Sequence, residues 1–323
     1  MFQVDIISGW ERKMTKYNIS NEFRYLKNFH SDISTYKKIK AARRIERLSR
    51  LLIPKPNDNV KIKKLRISGY NNDLIDLYMY SPPNISEGSP CIIYIHGGGF
   101  VLGNARNSRH LSFYAKQLSC IVFSVEYRLA PEFPFPYATN DCFKALEFLI
   151  SNNQTLGIDI KNIAIMGESA GAAIACSVTQ MARDNDISLK YQVLLIPVTS
   201  NKCNTQSMKD FADAPVWNYQ NSVEMWRYYL KSNYDNPPKY SVPIDGDLQG
   251  LPSCYLETAE FDPLIDDGIA YAKALQSSGV KVVLIETIGT LHGFDNAPFI
   301  GPIISNQLAM RVSVLKEAFE SEL

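Results

Sequence analysis

The sequence Gly167-Glu168-Ser169-Ala170-Gly171 lies between two segments of different character. The apolar run 163–166 before it has the composition of a buried strand, and a run of small residues with helical character begins at Ala170. A strand that leads straight into Gly-x-Ser-x-Gly and then a helix is typical of a nucleophile elbow, a strained turn that exposes a seryl oxygen. Glycines are expected there because so tight a turn leaves no room for Cβ atoms. The alternative is an ordinary turn with an exposed serine, so the chain must also supply a histidine, an acid and an oxyanion hole.

The composition indicates a globular protein. A length of 323 residues suits one large α/β domain with an insertion, or two modest domains. With 46% hydrophobic and 21% charged residues and a formal net charge of +1, nothing indicates nucleic acid or an anionic membrane as a partner. The start Met1-Phe2-Gln3-Val4-Asp5 lacks the pattern of a signal peptide, and no stretch has the length of a transmembrane helix. We therefore predict a cytoplasmic protein without stable membrane insertion.

Cysteines and histidines narrow the candidate chemistry. The six cysteines are scattered without metal-ligand spacing, and Cys91, Cys120 and Cys254 lie in apolar runs where a free thiol behaves as a small hydrophobe. We predict reduced core cysteines, no metal site and no cofactor. The chain has only four histidines, so few residues can serve as a catalytic base. They are His30, His96, His110 and His292.

Short apolar runs alternate with helical patterns from Val60 onward. The predicted strands are 60–68, 74–80, 91–95, 120–125, 163–166, 191–196, 253–258 and 281–286. The predicted helices are 108–119, 137–152, 170–183, 266–278 and 303–320. The turn-rich stretch 69–73 predicts that the first two strands are antiparallel. Continuously apolar strands alternating with helices predict an α/β fold with an eight-stranded, mostly parallel sheet and helices on both faces.

The segment 1–55 is predicted to be helical and charged. Ala41, Ile45, Leu48 and Leu52 recur at the spacing of one helical face. The basic residues around that face are Lys37, Lys38, Lys40, Arg43, Arg44, Arg47 and Arg50. This pattern predicts a helix that docks on the protein with its charged side in solvent. A membrane-surface helix is the alternative.

The segment 200–250 interrupts the alternation of strands and helices. Its aromatic and proline residues include Phe211, Pro215, Trp217, Tyr219, Trp226, Tyr228 and Tyr229. Long connections in α/β folds are usually lids or disordered segments, and the aromatic content argues against disorder. We predict that this insertion and the segment 1–55 form a helical cap over the C-terminal edge of the sheet, while 56–323 forms the catalytic domain.

A glycine loop is the predicted oxyanion hole. Acyl transfer to a serine requires backbone N–H groups that face the developing oxyanion. His96-Gly97-Gly98-Gly99-Phe100 follows the apolar run 91–95, and three successive glycines let amides approach a reacting carbonyl. Gly97, Gly98 and Gly99 are therefore the predicted donors, joined by the amide of Ala170. A merely flexible loop is the alternative.

The order serine, acid, histidine locates the base after the last strand. His292 lies six residues past Glu286 and is the predicted base. His30 and His110 are predicted to be surface or cap residues. His96 heads the glycine loop, where we expect a structural hydrogen bond.

The acid is expected after the strand 253–258. Asp262 precedes Pro263, which favours an extended or turn conformation, so its carboxylate can project from the strand end. Asp266 and Asp267 are weaker candidates because we expect them in the first turn of the next helix, where acidic residues suit the helix dipole. Asp262 is therefore the predicted acid.

Five motifs carry a resemblance to a known family. They are His96-Gly97-Gly98-Gly99, Glu126-Tyr127-Arg128-Leu129-Ala130-Pro131-Glu132, Gly167-Glu168-Ser169-Ala170-Gly171, Asp262-Pro263-Leu264-Ile265-Asp266 and His292-Gly293-Phe294. Over residues 60–320 the chain resembles the hormone-sensitive-lipase family of α/β-hydrolases, the bacterial family IV esterases. The resemblance implies a carboxylesterase for small-molecule esters of short acyl chains, with a helical cap. It also implies Ser169 as nucleophile, His292 as base and Asp262 as the residue that orients it, structural support from the second motif, and a homodimer as one assembly.

Two residues depart from the family pattern. Glu168 stands where aspartate is usual, and Ala172 where a second glycine is usual. The role of the family's usual aspartate is therefore not assigned to the Glu168 side chain.

Two other functions remain open: acyl transfer or deacetylation on a specialised metabolite, and non-catalytic binding of a small molecule. An intact set of Ser169, Asp262 and His292 counts against the second.

Overall fold

The computed structural model describes residues 17–52, 59–106, 110–297 and 299–321. Its strands are β1 (Lys61–Ser68), β2 (Leu74–Ser81), β3 (Ser89–Ile95), β4 (Ile121–Glu126), β5 (Ile158–Glu168), β6 (Tyr191–Leu195), β7 (Cys254–Phe261) and β8 (Val282–Leu291). They form one sheet in the order β1-β2-β4-β3-β5-β6-β7-β8. β2 is antiparallel to β1 and β4, and all other neighbours are parallel. The predicted eight-stranded, mostly parallel sheet is confirmed.

Most of the predicted helices are also confirmed. The α-helices among the described residues are α1 (Tyr36–Leu52), α2 (Leu111–Gln117), α3 (Tyr137–Ser151), α4 (Asn153–Leu156), α5 (Ala170–Asp184), α6 (Gln206–Asp210), α7 (Tyr219–Leu230), α8 (Ile265–Ser277) and α9 (Pro302–Glu320). Of these, α2, α3, α5, α8 and α9 correspond to the five predicted helices from residue 108 onward. The start of the predicted helix 108–119 falls partly outside the described residues, and the remainder is α2. Within the described residues, none of the helices has the length and apolarity needed to cross a membrane.

The sheet is buried on both faces. Ile93 and Ile165 point into one apolar cluster with residues of α3, α5 and α8. Their neighbours Ile92 and Met166 point into a second cluster with residues of α2 and α9. Because successive side chains of a strand face opposite ways, strands covered on both sides must be apolar throughout. This burial explains the continuously apolar runs in the sequence.

The N-terminal segment and the insertion are joined by backbone hydrogen bonds. The Val216 amide donates to the Phe29 carbonyl (2.7 Å), and the Ser31 amide donates to the Val216 carbonyl (3.2 Å). The Asn221 side chain in α7 also donates to the Ser31 carbonyl (2.9 Å). These contacts support our proposal of a joint cap. Of the predicted N-terminal segment 1–55, residues 1–16 and 53–55 lie outside the described residues.

Helix α1 docks through a different face from the one its apolar pattern predicts. Ile39 is fully buried, whereas Ile45 and Leu48 are 66% and 63% exposed. Arg43 donates to the Val101 carbonyl (2.7 Å) and Glu46 accepts from the Gly103 amide (3.1 Å). These polar contacts hold the helix with its apolar stripe outward, so docking through that stripe is a wrong reading of the pattern.

Candidate active site

The three predicted catalytic side chains directly follow the ends of parallel strands. β5, β7 and β8 end one residue before Ser169, Asp262 and His292, respectively. β3 likewise ends directly before His96 and the glycine loop. Parallel strands present their carboxyl ends at one edge of a sheet, where α/β folds bind their ligands. β7 and β8 are longer than predicted, and the added residues carry the chain to the site.

The strand register brings these ends side by side. Phe261 of β7 pairs with Leu291 of β8, so Asp262 and His292 leave neighbouring strands at the same level. Ile95 of β3 pairs with Gly167 of β5, which places the glycine loop beside the elbow. The sheet thus assembles the site from segments that are far apart in sequence.

Ser169 has the strained backbone of a nucleophile elbow. Its φ of +53° and ψ of −121° are a combination that residues with a side chain rarely adopt. A Cβ atom on Gly167 would overlap the Gly171 carbonyl, and one on Gly171 would overlap the Ile95 carbonyl. The Ser169 amide donates to the Leu195 carbonyl of β6 (2.8 Å). Both glycines are therefore required sterically, as the sequence suggested.

A continuous chain of hydrogen bonds joins the three side chains. Ser169 Oγ lies 2.8 Å from His292 Nε2, and His292 Nδ1 lies 2.6 Å from Asp262 Oδ2. Asp262 Oδ1 also accepts from the Leu264 amide (2.9 Å), and all three side chains are buried. Because a carboxylate only accepts, Nδ1 carries the proton and Nε2 can accept from the serine hydroxyl. The structure therefore brings together the serine, histidine and aspartate singled out in the sequence.

The glycine loop makes a tight turn against the elbow. Gly98 has a φ of +118°, and its carbonyl accepts from the amides of Val101 (3.1 Å) and Leu102 (2.7 Å). A Cβ atom on Gly97 would lie 2.9 Å from the Glu168 carbonyl oxygen. A side chain at either position would displace the loop, so the glycines are needed for its conformation.

Four amides beside the serine donate to no acceptor among the described residues. Within the part of the chain that the structure describes, Gly97, Gly98, Gly99 and Ala170 donate no hydrogen bond from the backbone N–H. Buried amides are nearly always paired, so a group of unpaired ones next to a serine hydroxyl suits the binding of an anionic oxygen. These are the four residues that the sequence predicted as oxyanion donors, and that role stays a prediction.

The run 126–132, for which the residues alone suggested no role, supports the glycine loop. The Tyr127 hydroxyl donates to the His96 carbonyl (2.7 Å), and the two rings stack 4.2 Å apart. The Ala130 amide donates to the Phe100 carbonyl (3.0 Å). Burial lowers the pKa of His96 to about 4, and its neutral ring donates from Nδ1 to the Gly97 carbonyl (2.8 Å). His96 is therefore structural, as predicted.

Glu168 links the elbow to the loop that carries His292. Its carboxylate is buried, accepts from the Asn296 side chain and accepts from the Tyr94 hydroxyl (3.2 Å). Burial and the negative charge of Asp295 raise the pKa of the Glu168 carboxyl. Asn296 is four residues past His292. Glu168, the residue that departs from the family pattern, therefore connects the turn that carries Ser169 to the loop that carries His292.

A buried arginine also binds the loop that carries His292. Arg311 of α9 donates to both Glu257 oxygens (3.0 and 2.6 Å) and to Asp295 (2.7 Å). Its side chain is 1% exposed. Truncating one partner of a buried ion pair is costly because the other charge stays buried and unpaired. Sequence reasoning missed Arg311 because its partners are distant in the chain and no local pattern marks it.

The insertion contributes one aromatic ring to the site. The Trp217 ring lies 5.7 Å from the His292 ring, and a Cβ atom on Gly99 would collide with it. The indole N–H donates to the Ser222 hydroxyl (3.0 Å), which fixes the orientation of the ring. Trp217 thus forms a wall between the glycine loop and the histidine.

The fold and this geometry define an α/β hydrolase with a serine at its nucleophile elbow. A family model described as "alpha/beta hydrolase fold" matches residues 92–296. The chain belongs to the hormone-sensitive-lipase-like family of α/β hydrolases, as the motifs predicted. It is a carboxylic ester hydrolase.

Several relatives are esterases. The chain is 34% identical to carboxylesterase NlhH of Mycobacterium tuberculosis, across 76% of this chain and 79% of the relative. It is 30% identical to an arylesterase of Saccharolobus solfataricus, across 90% and 94% of the two chains. Among solved structures, a bacterial heroin esterase matches with a TM-score of 0.83 and 34% identity, covering 88% of this chain and 92% of that one. Esterase LipW of Mycobacterium marinum matches with a TM-score of 0.87 and 28% identity, covering 94% and 97%.

Asp266 and Asp267, the weaker candidates for the catalytic acid, lie in the first turn of α8 as predicted. Asp267 is buried, and its Oδ2 has no hydrogen-bond partner among the described residues. Burial, with smaller contributions from the charges of Asp262 and Asp266, raises the pKa of Asp267 to about 7. The folded state therefore favours the protonated acid, and the contribution of Asp267 to the free energy of unfolding falls as pH rises from about 4 to about 7.

The Asp267→Asn variant is expected to lose this pH dependence. Asparagine is neutral at every pH, so the variant should gain stability relative to the wild type as pH rises, reaching about 2 to 4 kcal/mol above pH 7. Urea unfolding at pH 5 and pH 8 measures the change. Asp235→Asn, at an exposed position, is the control and should change stability equally at both values. A stability difference for Asp267→Asn that is the same at both values would contradict the shift.

Proposed function

We propose that the protein is a serine carboxylesterase that hydrolyses small-molecule esters of short acyl chains. Ser169 is the nucleophile, His292 the base and Asp262 the acid that orients it. The observation that carries this proposal is the hydrogen-bond chain from Ser169 Oγ through both ring nitrogens of His292 to Asp262. It lies next to backbone amides that have no other acceptor among the described residues.

Acylation begins when Ser169 Oγ attacks the ester carbonyl carbon and its proton passes to His292 Nε2. The amides of the 97–99 loop and Ala170 hold the oxyanion of the tetrahedral intermediate, and one such donor is worth about 3 kcal/mol of transition-state stabilisation. Asp262 stabilises the imidazolium through Nδ1. When the intermediate collapses, the bond to the alkoxide breaks and the alcohol leaves with the proton from Nε2.

Deacylation repeats these roles with water as the nucleophile. His292 Nε2 takes a proton from the water as its oxygen attacks the acyl carbon of the acyl-enzyme. The second tetrahedral intermediate uses the same amides. Its collapse breaks the bond to Ser169 Oγ, which recovers its proton from Nε2, and releases the carboxylic acid.

Trp217 supports the preference for short acyl chains. Its ring is 5% exposed, is held by Ser222 and contacts both the oxyanion loop and the base. A fixed ring of this size, next to the position of the ester carbonyl, leaves little length for a chain that extends in its direction. Packed interiors yield little to extra methylene groups, so a longer chain costs strain.

We expect kcat/KM to be highest for p-nitrophenyl acetate and butyrate and to fall for octanoate and palmitate. Trp217→Ala is expected to raise the octanoate-to-butyrate ratio of kcat/KM by about tenfold or more, because each additional buried CH₂ contributes about 0.8 kcal/mol. The measurement is a series of acyl-chain lengths for both proteins, with circular dichroism to check the fold. It tests both the proposed substrate class and the role of the tryptophan.

Tyr219→Ala is the matched control for Trp217→Ala. Tyr219 is an aromatic residue of the same insertion, but it is 40% exposed. Its removal should leave the ratio unchanged. A wild-type enzyme that prefers palmitate would refute the short-chain proposal, and an unchanged ratio in Trp217→Ala would show that its ring does not border the acyl group.

A further inference from the structure

The outward face of α1 combines exposed apolar and basic side chains. Ala41, Ile45 and Leu48 are exposed and lie along one line of the helix, which we call the outer stripe. Ile45 and Leu48 are among the most exposed large apolar residues described, at 66% and 63%. A hydrophobic residue exposed singly is common, but a continuous apolar line on a docked helix indicates a surface that binds something.

The charged residues of α1 are almost all basic. The helix has seven of the 34 basic residues of the chain and one of its 33 acidic residues, although the net charge of the whole protein is only +1. The single acid, Glu46, is directed inward and accepts from the Gly103 amide. Basic residues with exposed side chains are Lys37, Lys38, Lys40, Arg44 and Arg47. Only Lys38 of these has an acidic partner among the described ion pairs, Asp32 at 2.6 Å.

This arrangement differs from a solvated charged face. A helix that only meets water does not need apolar residues in line on its outer side, and a nucleic-acid site offers phosphates but no apolar layer to receive them. A bilayer with anionic lipids offers both partners: its interface receives the apolar side chains, and its headgroups attract the basic ones. Apart from Lys38, these basic residues form no salt bridge with an acidic group among the described residues, so their charges are available to a partner.

We propose that the outer stripe and its flanking basic residues bind the surface of a membrane that contains anionic lipids. The helix would lie in the plane of the interface, with Ile45 and Leu48 below the headgroups and Arg44 and Arg47 beside the phosphates. The protein would be a peripheral binder, since none of its described helices can cross a bilayer.

The inner face of α1 connects this surface to the active site. Arg43 donates to the carbonyls of Val101 (2.7 Å) and Ala130 (2.6 Å), and Glu46 accepts from the Gly103 amide. Val101 in turn donates to the Gly98 carbonyl of the glycine loop. A bound membrane would therefore lie one helix away from the oxyanion loop, where apolar esters dissolved in the bilayer are concentrated. This position does not depend on whether the proposed ester hydrolysis is correct.

Vesicle flotation with the full chain tests the proposal. The wild type is expected to bind vesicles of phosphatidylcholine with about one third phosphatidylglycerol, to bind pure phosphatidylcholine at least about tenfold more weakly, and to lose binding at high salt. Ile45→Ser with Leu48→Ser, and separately Arg44→Gln with Arg47→Gln, are each expected to weaken binding by about tenfold or more. Turnover of soluble p-nitrophenyl acetate should stay unchanged in both variants.

Two matched controls separate this surface from others. Leu74→Ser with Ile288→Ser removes apolar residues that are equally exposed elsewhere, at 66% and 69%. Lys61→Gln with Lys63→Gln removes two exposed basic residues of the edge strand β1. Both controls should bind vesicles like the wild type.

Three results would overturn the proposal. The wild type could fail to bind anionic vesicles, or either control could weaken binding as much as the α1 variants do. Light scattering could instead show that Ile45→Ser with Leu48→Ser converts a dimer into a monomer without affecting vesicle binding, which would assign the stripe to contact between copies of the chain.

Discussion

The Ser169→Ala variant is expected to hydrolyse p-nitrophenyl butyrate at least about 10⁴-fold more slowly than the wild type, with kcat carrying the loss. Without the hydroxyl no acyl-enzyme forms, while the amides of the glycine loop and the fold of the elbow remain. The strained backbone at this residue, with φ of +53°, accepts alanine about as readily as serine, since both carry a Cβ. Steady-state kinetics with repurified protein measures the effect.

Ser177→Ala is the matched control for Ser169→Ala. Ser177 is a buried serine of α5, the helix that begins directly after Ser169, and its hydroxyl donates to the Ala173 carbonyl of the preceding turn (3.0 Å). Its turnover should stay near that of the wild type. A fluorophosphonate probe should label the wild type once, at Ser169 by mass spectrometry, and leave Ser169→Ala unlabelled. Wild-type turnover in Ser169→Ala would refute the nucleophile assignment.

Local runs of apolar residues predicted the sheet well because such runs reflect the burial of a strand on both faces. Strands covered on both faces must be apolar at every position, and this requirement is visible in runs such as 91–95 and 163–166. The ends of β7 and β8 were less visible. Glu260 accepts from the Gly289 amide (2.6 Å), and Thr287 and Thr290 are buried polar residues. The last residues of these two strands are therefore partly polar, and the apolar pattern in the sequence ends before the strands do.

The orientation of α1 could not be read from its periodicity. The apolar stripe predicted the docked face, but Ile39 and the polar contacts of Arg43 and Glu46 decided the orientation. Their acceptors and donor are backbone groups of the segment 101–130, and nothing in the helix itself reveals which carbonyls a partner segment will present. A pattern of side chains therefore shows that a helix is amphipathic, while the fold decides which side is buried.

The candidate site, too, has one part that the sequence revealed and another that only the fold shows. Its chemistry was visible because the elbow and the glycine loop are short motifs with steric requirements, and Gly167 and Gly171 meet those requirements in the structure. Its support was not visible. Glu168 meets Asn296 and Arg311 meets Glu257 only after folding, and the hydrogen bonds that join them cross 128 and 54 positions of the chain.

The Asp262→Asn variant is expected to lower kcat by about 10³- to 10⁴-fold with little change in KM. Asparagine keeps the shape of the side chain, but it presents an N–H group to His292 Nδ1 in place of a carboxylate oxygen. Nδ1 then accepts, the ring proton moves to Nε2, and the nitrogen that faces Ser169 Oγ at 2.8 Å can no longer take its proton. Circular dichroism and kcat measured across pH 6 to 9 separate this effect from unfolding.

Asp267→Asn makes the same chemical change five residues further on and is the control for Asp262→Asn. Asp267 is equally buried, but it lies in the first turn of α8 and, among the described residues, has no hydrogen bond to His292 like that of Asp262 Oδ2 at 2.6 Å. Its kcat should remain within about threefold of the wild type, since a neighbouring charge alone shifts a barrier only modestly. If Asp267→Asn or Asp266→Asn lost turnover while Asp262→Asn kept it, the acid of the site would have to be reassigned to the first turn of α8.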